Sequence, residues 1–175
     1  ILRDAATLPL LLDAIAELAQ TYKGERRWRI VLPAMPAEAE LARLGQLGAV
    51  LDLVPPPAPP PSAAMPAAEA PAPFASAKLR YTVSSNAAGG SPNPIATLAG
   101  TLRREEALAA VTSSAAWAAF ADGRIGRIAI GQRADFVLVD RDPLMAPASE
   151  VKAIRVLQTW IGGKPVYQAK DTAVR

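Results

Sequence analysis

The residue type that most limits the chemistry of this 175-residue chain is histidine, because the sequence contains none, and it contains no cysteine either. Histidine is the commonest metal ligand and the usual general base near pH 7. Without it, the chain cannot build a Ser-His-Asp triad or a histidine-ligated zinc site from its own residues. Ser84, Ser85 and Ser113 therefore lack a base to activate them, and we expect them to satisfy backbone groups in turns.

Composition excludes further classes of function. The absence of cysteine rules out disulfides, thiolate metal sites and a cysteine nucleophile. The net charge of +3 is scattered and aromatic residues make up only 5% of the chain, so we expect no nucleic-acid partner. No apolar run approaches the roughly 20 residues of a membrane span, and no signal peptide is apparent. The chain begins at Ile1, which leaves its natural start open, and the composition fits a cytoplasmic or a periplasmic protein equally.

The first part of the chain alternates helices and strands. Apolar residues at helical spacing predict helices over 4–22, with Asp4 as its cap, and over 37–47. Apolar runs bounded by proline and glycine predict strands over 27–32 and 50–54. The order helix, strand, helix, strand is typical of a parallel α/β sheet or barrel.

The middle of the chain changes composition. Residues 55–73 are almost only proline and alanine, which favours an extended linker or surface loop and forbids a helix. A strand is predicted over 79–83 and a helix over 103–120. The turn-rich loop 84–94 between them has glycines but no lysine or Gly-x-Gly spacing, so it does not predict a phosphate site.

The last part of the chain is predicted to be a small β unit. Short apolar runs predict strands over 127–130, 136–140, 156–161 and 165–167. Gly162-Gly163 between the last two strands is a strong hairpin signal. No long helix intervenes, so this unit is an addition to the α/β part.

Three stretches near the end of the chain resemble the C-terminal signature of the amidohydrolase superfamily. They are 111–120, the segment 126–144 with its Gly126-x4-Gly131-x2-Ala134-Asp135 spacing, and the closing segment 155–167. The chain is most similar to amidohydrolase family 3, the YtcJ-like proteins. The resemblance implies an α/β fold, the C-terminal part of a (β/α)8 TIM-barrel metallohydrolase with a small β-sandwich unit. It also implies action on amide and related carbon–nitrogen bonds.

The resemblance extends upstream to the strands that carry the family's metal ligands, and there the residues differ. Residues 29–34 stand where the family has Arg-Ile-Glu-His-Ala-Gln, so Leu32 replaces a ligand histidine. Asn86 stands where the family has the aspartate that binds metal and acts as general base. Leucine has no donor atom, and asparagine is neutral and cannot accept the proton. We therefore assign no catalytic, cofactor-binding or metal-binding residue to this chain, and expect zinc only if a partner supplies the ligands.

Two carboxylates at family positions have structural interpretations. Asp4 matches the aspartate of a His-Ala-x-Gly-Asp motif whose histidine would precede Ile1, and we interpret it as a helix cap. Asp135 belongs to the C-terminal signature, where we interpret it as a turn residue before a buried strand and not as a base.

By this resemblance the chain supplies only the last strands of a barrel. Half a barrel leaves open parallel edges, so we expect a large apolar interface. The complement would be a separate barrel-half chain or an amidohydrolase relative, a second copy of this chain, or the remainder of a longer protein. The expected division is residues 1–54 as barrel βα units, 55–78 as the linker, 79–122 as the last barrel strand and helix, and 123–175 as the β-sandwich part.

Three functions stay open from the sequence. The first is a non-catalytic amidohydrolase-like subunit that completes a barrel with a partner chain. The second is a subunit of a split amidohydrolase that hydrolyses non-peptide carbon–nitrogen bonds with metal ligands from the partner. The third is a metal-free module that binds a small molecule. Metal content and a histidine-bearing companion would discriminate among them.

Overall fold

The computed structural model describes five segments, and the other residues, which include Asp4, the predicted linker and the loop 84–94, lie outside them. The described segments are residues 5–32, 36–53, 79–83, 103–151 and 153–170.

The first half of the described chain forms a parallel α/β layer, as the alternation of helices and strands predicted. Its elements in chain order are α1 (Leu8–Thr21), β1 (Arg29–Leu32), α2 (Glu38–Gln46), β2 (Val50–Leu53) and β3 (Arg80–Val83). The three strands pair in the order β1-β2-β3, with every neighbouring pair parallel. In this order β1 and β3 are the two edges of the sheet.

The start of α1 differs in detail from its prediction. The chain first makes a 3-10 turn over Ala5–Thr7 and becomes α-helical at Leu8. Thr7 occupies the N-cap position of α1 without a side-chain cap hydrogen bond. Pro9 is tolerated in the first turn because the backbone N–H groups there have no acceptor within the helix.

Both helices pack on the same face of the parallel sheet. In β1 the side chains of Ile30 and Leu32 are buried, whereas Arg29 is exposed. Such alternation follows from the two-residue period of a strand and gives the sheet a face that is covered by helices. The core cluster on this face joins apolar residues of the helices and strands: Leu8, Leu12, Ile15, Ile30, Leu32, Leu41, Leu44, Ala49, Leu51, Leu53, Leu79, Tyr81, Ala107 and Ala110.

The helix predicted over 103–120 is broken into α3 (Arg104–Val111) and α4 (Ser113–Ala118). Thr112 lies between them with φ −126° and ψ −96°, outside the helical region. Its hydroxyl donates a 2.6 Å hydrogen bond back to the carbonyl of Leu108. A threonine that bonds the backbone in this way competes with the helix and bends it, a local effect that the apolar spacing does not report.

The last part of the chain forms an antiparallel sheet in the order β4-β5-β6. Its strands are β4 (Phe136–Val139), β5 (Val156–Ile161) and β6 (Lys164–Gln168). The predicted hairpin is confirmed, and its two turn residues, Gly162 and Gly163, have φ values of +58° and +75°. Glycine accepts these angles without the steric cost of a side chain, which is why the pair marks a tight hairpin.

Two predictions for this part were wrong or incomplete. The strand predicted over 127–130 is absent, and Ile128 there is 90% exposed. The flanking Gly126 and Gly131 have positive φ, so the segment turns where a strand would have to extend. A short helix, α5 (Ala148–Val151), was not predicted. In the part of the chain that the structure describes, no helix is long and apolar enough to span a membrane.

Candidate functional site

The position that the family resemblance matched to a ligand histidine lies inside the core. Leu32 ends β1, is 1% exposed and belongs to the cluster between the sheet and the helices. A side chain packed there has neither a donor atom nor access to an open end of the sheet. Ser84, Ser85 and Asn86 lie outside the described residues, so the structure does not place the second ligand position.

The polar residues of the parallel sheet are on the face away from α1 and α2. Register partners in a parallel sheet share a face, and Val31, Asp52 and Thr82 are register partners across the three strands. Val50, which precedes Asp52 by one period, is fully buried but stands outside the helix-facing core cluster. We call this second surface the inner face, and it carries Arg29, Val31, Val50, Asp52, Arg80 and Thr82.

Asp52 and Thr82 are the two buried polar residues of the inner face. Asp52 is 2% exposed and Thr82 is 5% exposed. Oδ2 of Asp52 lies 3.4 Å from Nε of Arg29, whose side chain is 60% exposed. Among the described residues, Oδ1 of Asp52 and Oγ1 of Thr82 make no well-formed hydrogen bond, although the Thr82 hydroxyl interacts with the Asp52 carboxylate as a donor. A sheet that buries a carboxylate without fully pairing it is unusual, because such groups are costly to leave unsatisfied.

Burial raises the pKa of Asp52 above its ordinary value, and two neighbours oppose the shift. The positive charge of Arg29 and the nearby hydroxyl of Thr82 both favour the carboxylate form. The effect of burial on the pKa of Asp52 is the largest, because the Arg29 side chain is mostly exposed to solvent, which weakens its attraction for the carboxylate. Sequence reasoning missed this residue, although a charge between two leucines in the strand Val50–Leu53 was a signal that could have been read.

A second polar cluster lies before β1, around Arg27. Its guanidinium carbon is 4.3 Å from the ring centroid of Trp117 and 4.4 Å from that of Phe120. Nη1 donates a 2.7 Å hydrogen bond to Oδ1 of Asp122 and a further one to the carbonyl of Trp117. Arg80 also stacks on Trp117, at 4.7 Å. Arg27 also forms an ion pair with Glu25, so this cluster of paired and stacked groups fastens α4 to the segment that precedes β1.

The remaining predicted positions have structural surroundings. Asp135 accepts a 2.6 Å hydrogen bond from the backbone N–H of Gly162 and pairs with Arg133 at 2.9 Å. These contacts agree with its interpretation as a turn residue, although the strand that follows, β4, is only half-buried. Ser113 is the first residue of α4 and lies in a helix, not in a turn.

The described residues do not fit the metal centre that the resemblance implies. Among them, no three histidine, cysteine, aspartate or glutamate side chains come together as a metal site would require. Asp52 is a single carboxylate, and Leu32 offers no ligand atom. No hydrolytic step through a metal is therefore derived from these residues.

The described chain combines a parallel α/β sheet with an antiparallel β unit, and this arrangement matches part of the fold of solved TIM-barrel amidohydrolases. The amidohydrolase family profile matches residues 1–167. The chain therefore belongs to this family, amidohydrolase family 3, as the C-terminal signature predicted. No protein with a curated description matches the chain significantly.

Solved structures show the same fold. A prolidase complexed with N-methylphosphonate-L-proline is 21% identical with a TM-score of 0.66, over 90% of this chain and 43% of that one. An adenosine deaminase from Xanthomonas campestris with bound zinc is 20% identical with a TM-score of 0.59, over 93% and 48%. Guanine deaminase from E. coli is 16% identical with a TM-score of 0.54, over 89% and 42%. The chain thus spans less than half the length of each of these structures.

Proposed function

We propose that this chain is a non-catalytic amidohydrolase-like subunit that completes a (β/α)8 barrel with a second chain carrying the complementary half. The observation that carries this proposal is that β1 and β3 each pair with only one strand among the residues that the structure describes. Parallel strands are normally buried within a sheet that is covered on both faces and continued at its edges.

The crossover rule indicates where a complementary strand belongs. β1 leads through α2 to β2, which lies directly beside it in parallel. Connections of this type are right-handed almost without exception. A strand that led into α1 with the same hand would therefore lie beside β1, on the edge away from β2. A further parallel strand beside β3, at the other end of the described sheet, would extend the sheet toward a closed barrel.

The free edge of β1 is bordered by an apolar groove that such a strand could fill. The groove lies between α1 and β1 and holds about 180 Å³. Its lining is apolar apart from one arginine: Leu11, Ala14, Ile15, Leu18, Trp28, Arg29, Ile30 and Val31. A groove of this composition suits an added strand, because β1 pairs on one side only within the described segments and a new strand brings both hydrogen bonds and apolar side chains.

The antiparallel sheet also carries exposed apolar side chains against which a partner could pack. On one face Phe136 stacks on Trp160 with a ring-centroid distance of 5.5 Å. On the other face Val137 and Tyr167 flank Thr159, and both are more than half exposed. A sheet with apolar residues on both faces is a middle layer in most folds, because one solvated face would normally be polar. This feature supports a companion that packs against the β unit as well.

The residue at the position that the resemblance matched to a ligand histidine supports the non-catalytic part of the proposal. The chain has no histidine, and the position that would carry a ligand histidine on β1 is the core residue Leu32. Because Leu32 is packed in the core, any metal ligand that a partner supplied would have to lie elsewhere. A subunit of a split enzyme that works with the partner's metal is the alternative, and the same experiment separates the two.

Native mass spectrometry of the purified protein, with metal content and denatured masses from the same sample, tests the proposal. We expect a complex of this chain with a second polypeptide, and no zinc bound in proportion to the complex. Stoichiometric zinc together with a histidine-bearing companion would replace the proposal with the split-enzyme alternative. A monomer at micromolar concentration, with its sheet edges unprotected in hydrogen exchange, would overturn it.

A further inference from the structure

Residues 127–130 have the sequence of a strand but form none in the structure. Ile128 and Ile130 are two positions apart, the spacing that places side chains on one face of a strand. They are 90% and 107% exposed, which makes them the most exposed of the large apolar side chains in the described segments. Apolar residues exposed singly are ordinary, whereas a contiguous group marks an interaction site. The pair therefore points to a partner that covers it.

The backbone of this segment is open to strand pairing. All four residues are exposed. Within the described part of the chain they form one hydrogen bond, in which the carbonyl of Ala129 accepts the N–H of Gln132 at 3.1 Å. Their other N–H and C=O groups resemble those along the edge of a sheet, which pair readily with a strand from another chain. The segment is thus a short edge that lacks its neighbour.

The charge around the segment is positive. Residues 123–134 contain three arginines and no acidic residue. Arg133 is paired with Asp135 at 2.9 Å, whereas Arg124 and Arg127 form no ion pair within the described segments. Two cations are therefore left for an acidic partner.

A cleft beside the segment can receive a carboxylate from such a partner. It holds about 340 Å³ and is lined by Arg124, Ile125, Gly131, Gln132, Arg133 and Asp135. Its two guanidinium groups are donors of the kind that bind carboxylates most strongly. The carboxylate already in its wall, that of Asp135, is held by Arg133 and by the N–H of Gly162. An added aspartate or glutamate side chain would thus complement the charge of the cleft.

We propose that residues 127–130 are a docking strand for an extended acidic segment of the complementary chain. Neighbouring residues of a strand face opposite ways, so Arg127 and Ile128 call for a partner segment that alternates acidic and apolar residues. Its backbone pairs with the docking strand, its apolar side chains cover the two isoleucines, and its carboxylates lie beside the arginines. Recognition by an added strand takes its affinity from the backbone and its specificity from the side chains. The inference rests on the proposed function, since the complementary chain supplies the segment.

A lipid surface is the other kind of partner that attracts basic and apolar residues together. Residues 121–135 contain no tryptophan, tyrosine or phenylalanine, the side chains that usually lie at a membrane interface. Unpaired backbone groups are also costly in lipid, whereas an added strand satisfies them. The observations therefore favour a peptide segment.

The test adds peptides to the full chain. Peptides of about ten residues that alternate valine with glutamate, or valine with lysine, are the probes. NMR follows the shifts and the hydrogen exchange of the amides in the docking strand. We expect only the glutamate peptide to bind, and to slow the exchange of every second amide about tenfold or more, because alternate N–H groups of a strand point to the same edge. Binding should be several-fold weaker in about 1 M NaCl than in about 0.1 M, where charges are less screened.

Three variants relate the response to this segment. Arg124→Glu with Arg127→Glu should weaken binding of the glutamate peptide about tenfold or more and create binding of the lysine peptide. Ile128→Ser with Ile130→Ser should weaken the glutamate peptide several-fold. These side chains lie at the surface, so we expect the fold to be unchanged. Met145→Ser, which removes another exposed apolar side chain outside the segment, is the control and should bind as the parent chain does.

Equal binding of the two peptides, no binding of either, or unchanged affinity in the arginine and isoleucine variants would overturn the docking strand. Binding to phosphatidylserine vesicles that these variants lose, without binding of the peptide, would assign the segment to a membrane instead. The outcomes are separable from the proposed function. A companion found by native mass spectrometry whose complex leaves the amides of residues 127–130 unprotected refutes the docking strand alone. Binding of the glutamate peptide without any companion refutes the barrel-completing role and leaves a site for acidic segments of other proteins.

Discussion

The guanidinium of Arg27 lies over the indole of Trp117, with 4.3 Å between its carbon and the ring centroid, although the two residues are 90 positions apart in the chain. Arg27 adopts φ +48°, a left-handed conformation that is costly for a residue with a side chain. Its hydrogen bonds to Asp122 and to the carbonyl of Trp117 hold it there. The contact joins the start of β1 to the end of α4, so it fastens the last helix to the sheet.

Replacement of Arg27 should loosen this attachment. Arg27→Lys keeps the charge but loses the planar group that stacks on two rings and forks to its acceptors. We expect the unfolding midpoint to fall by several degrees in Arg27→Lys and further in Arg27→Ala. Arg26→Lys is the matched control, since Arg26 stacks only on the exposed ring of Tyr22. Equal midpoints for the two lysine variants would show that the stacking contributes nothing.

Acid should destabilise the fold through two carboxylates. The hydrogen bond from Arg27 lowers the pKa of Asp122 below its usual 3.8, and the backbone N–H of Arg155 lowers the pKa of Asp140 in the same way. Each carboxylate therefore binds a proton less readily in the folded than in the unfolded chain. Their stabilisation is fully present above about pH 4 and is lost as the pH falls through the lowered values.

Urea unfolding at pH 7, 4 and 3 measures this loss. Asp140→Asn should flatten the decline below pH 4, because asparagine does not titrate. Glu17→Gln, at an exposed site on α1, serves as the control and should leave the decline unchanged. If Asp140→Asn and the parent chain lose stability in parallel, the bonds between Asp140 and Arg155 do not contribute to the acid response.

Gly126 holds the turn after α4 against that helix. A Cβ at this position would lie 2.6 Å from Cβ of Ala116 and 3.0 Å from the carbonyl oxygen of Thr112, and φ is +92°. Gly126→Ala should therefore cost about 2–4 kcal/mol of unfolding free energy, through overpacking and a conformation that alanine avoids. Gly123→Ala adds a Cβ to open space and should change stability by less than about 0.5 kcal/mol. Similar costs for the two would contradict a packing role for Gly126.

The elements that the sequence predicted well are those whose signal is local. The apolar stripe of α1, the short runs of β1 and β2 and the hairpin at Gly162-Gly163 each depend on residues next to one another in the chain. The strand predicted over 127–130 failed because an apolar run needs a neighbouring strand to pair with, and that partner is a property of the tertiary fold. The prediction of one unbroken helix over 103–120 was wrong for a different reason, because the bond from the Thr112 hydroxyl to the Leu108 carbonyl does not alter the apolar spacing.

The candidate site was less accessible to sequence reasoning. The replacement of a ligand by Leu32 could be read from the family pattern, but its place in the core needed the alternation of β1 against the helices. The sequence shows Asp52 as a charge within a buried strand, but its neighbour Thr82 becomes visible only in the register of β2 with β3. Cross-strand neighbours are remote in sequence, so no spacing rule could have found this pair.

The carboxylate of Asp135 should protect the hairpin from local opening. It accepts the N–H of Gly162, and the carbonyl of the preceding Ala134 accepts the N–H of Gly163. Asp135→Ala removes the first acceptor, so the Gly162 amide should exchange its hydrogen about tenfold faster or more, as expected for the loss of one charge-assisted bond. Asp142→Ala, whose carboxylate bonds the N–H of Leu144 in another turn, should leave Gly162 unchanged. Unaltered exchange at Gly162 in Asp135→Ala would show that the turn is held by its glycines alone.

Restoring histidine at position 32 should not restore a metal site. Leu32 is 1% exposed within the cluster formed by α1, α2 and the sheet, so Leu32→His buries an imidazole among apolar side chains. We expect a loss of about 2–4 kcal/mol in unfolding free energy from lost packing and an unsatisfied ring nitrogen. Leu32→Met conserves volume and should cost less than about 1.5 kcal/mol. A ligand that binds the folded state raises the unfolding midpoint. Because we expect the buried imidazole to bind no zinc, zinc should leave the midpoint of Leu32→His unchanged. A zinc-dependent rise in that variant alone would mean that the position still opens onto a metal pocket, and that the chain lost its ligand without losing the architecture around it.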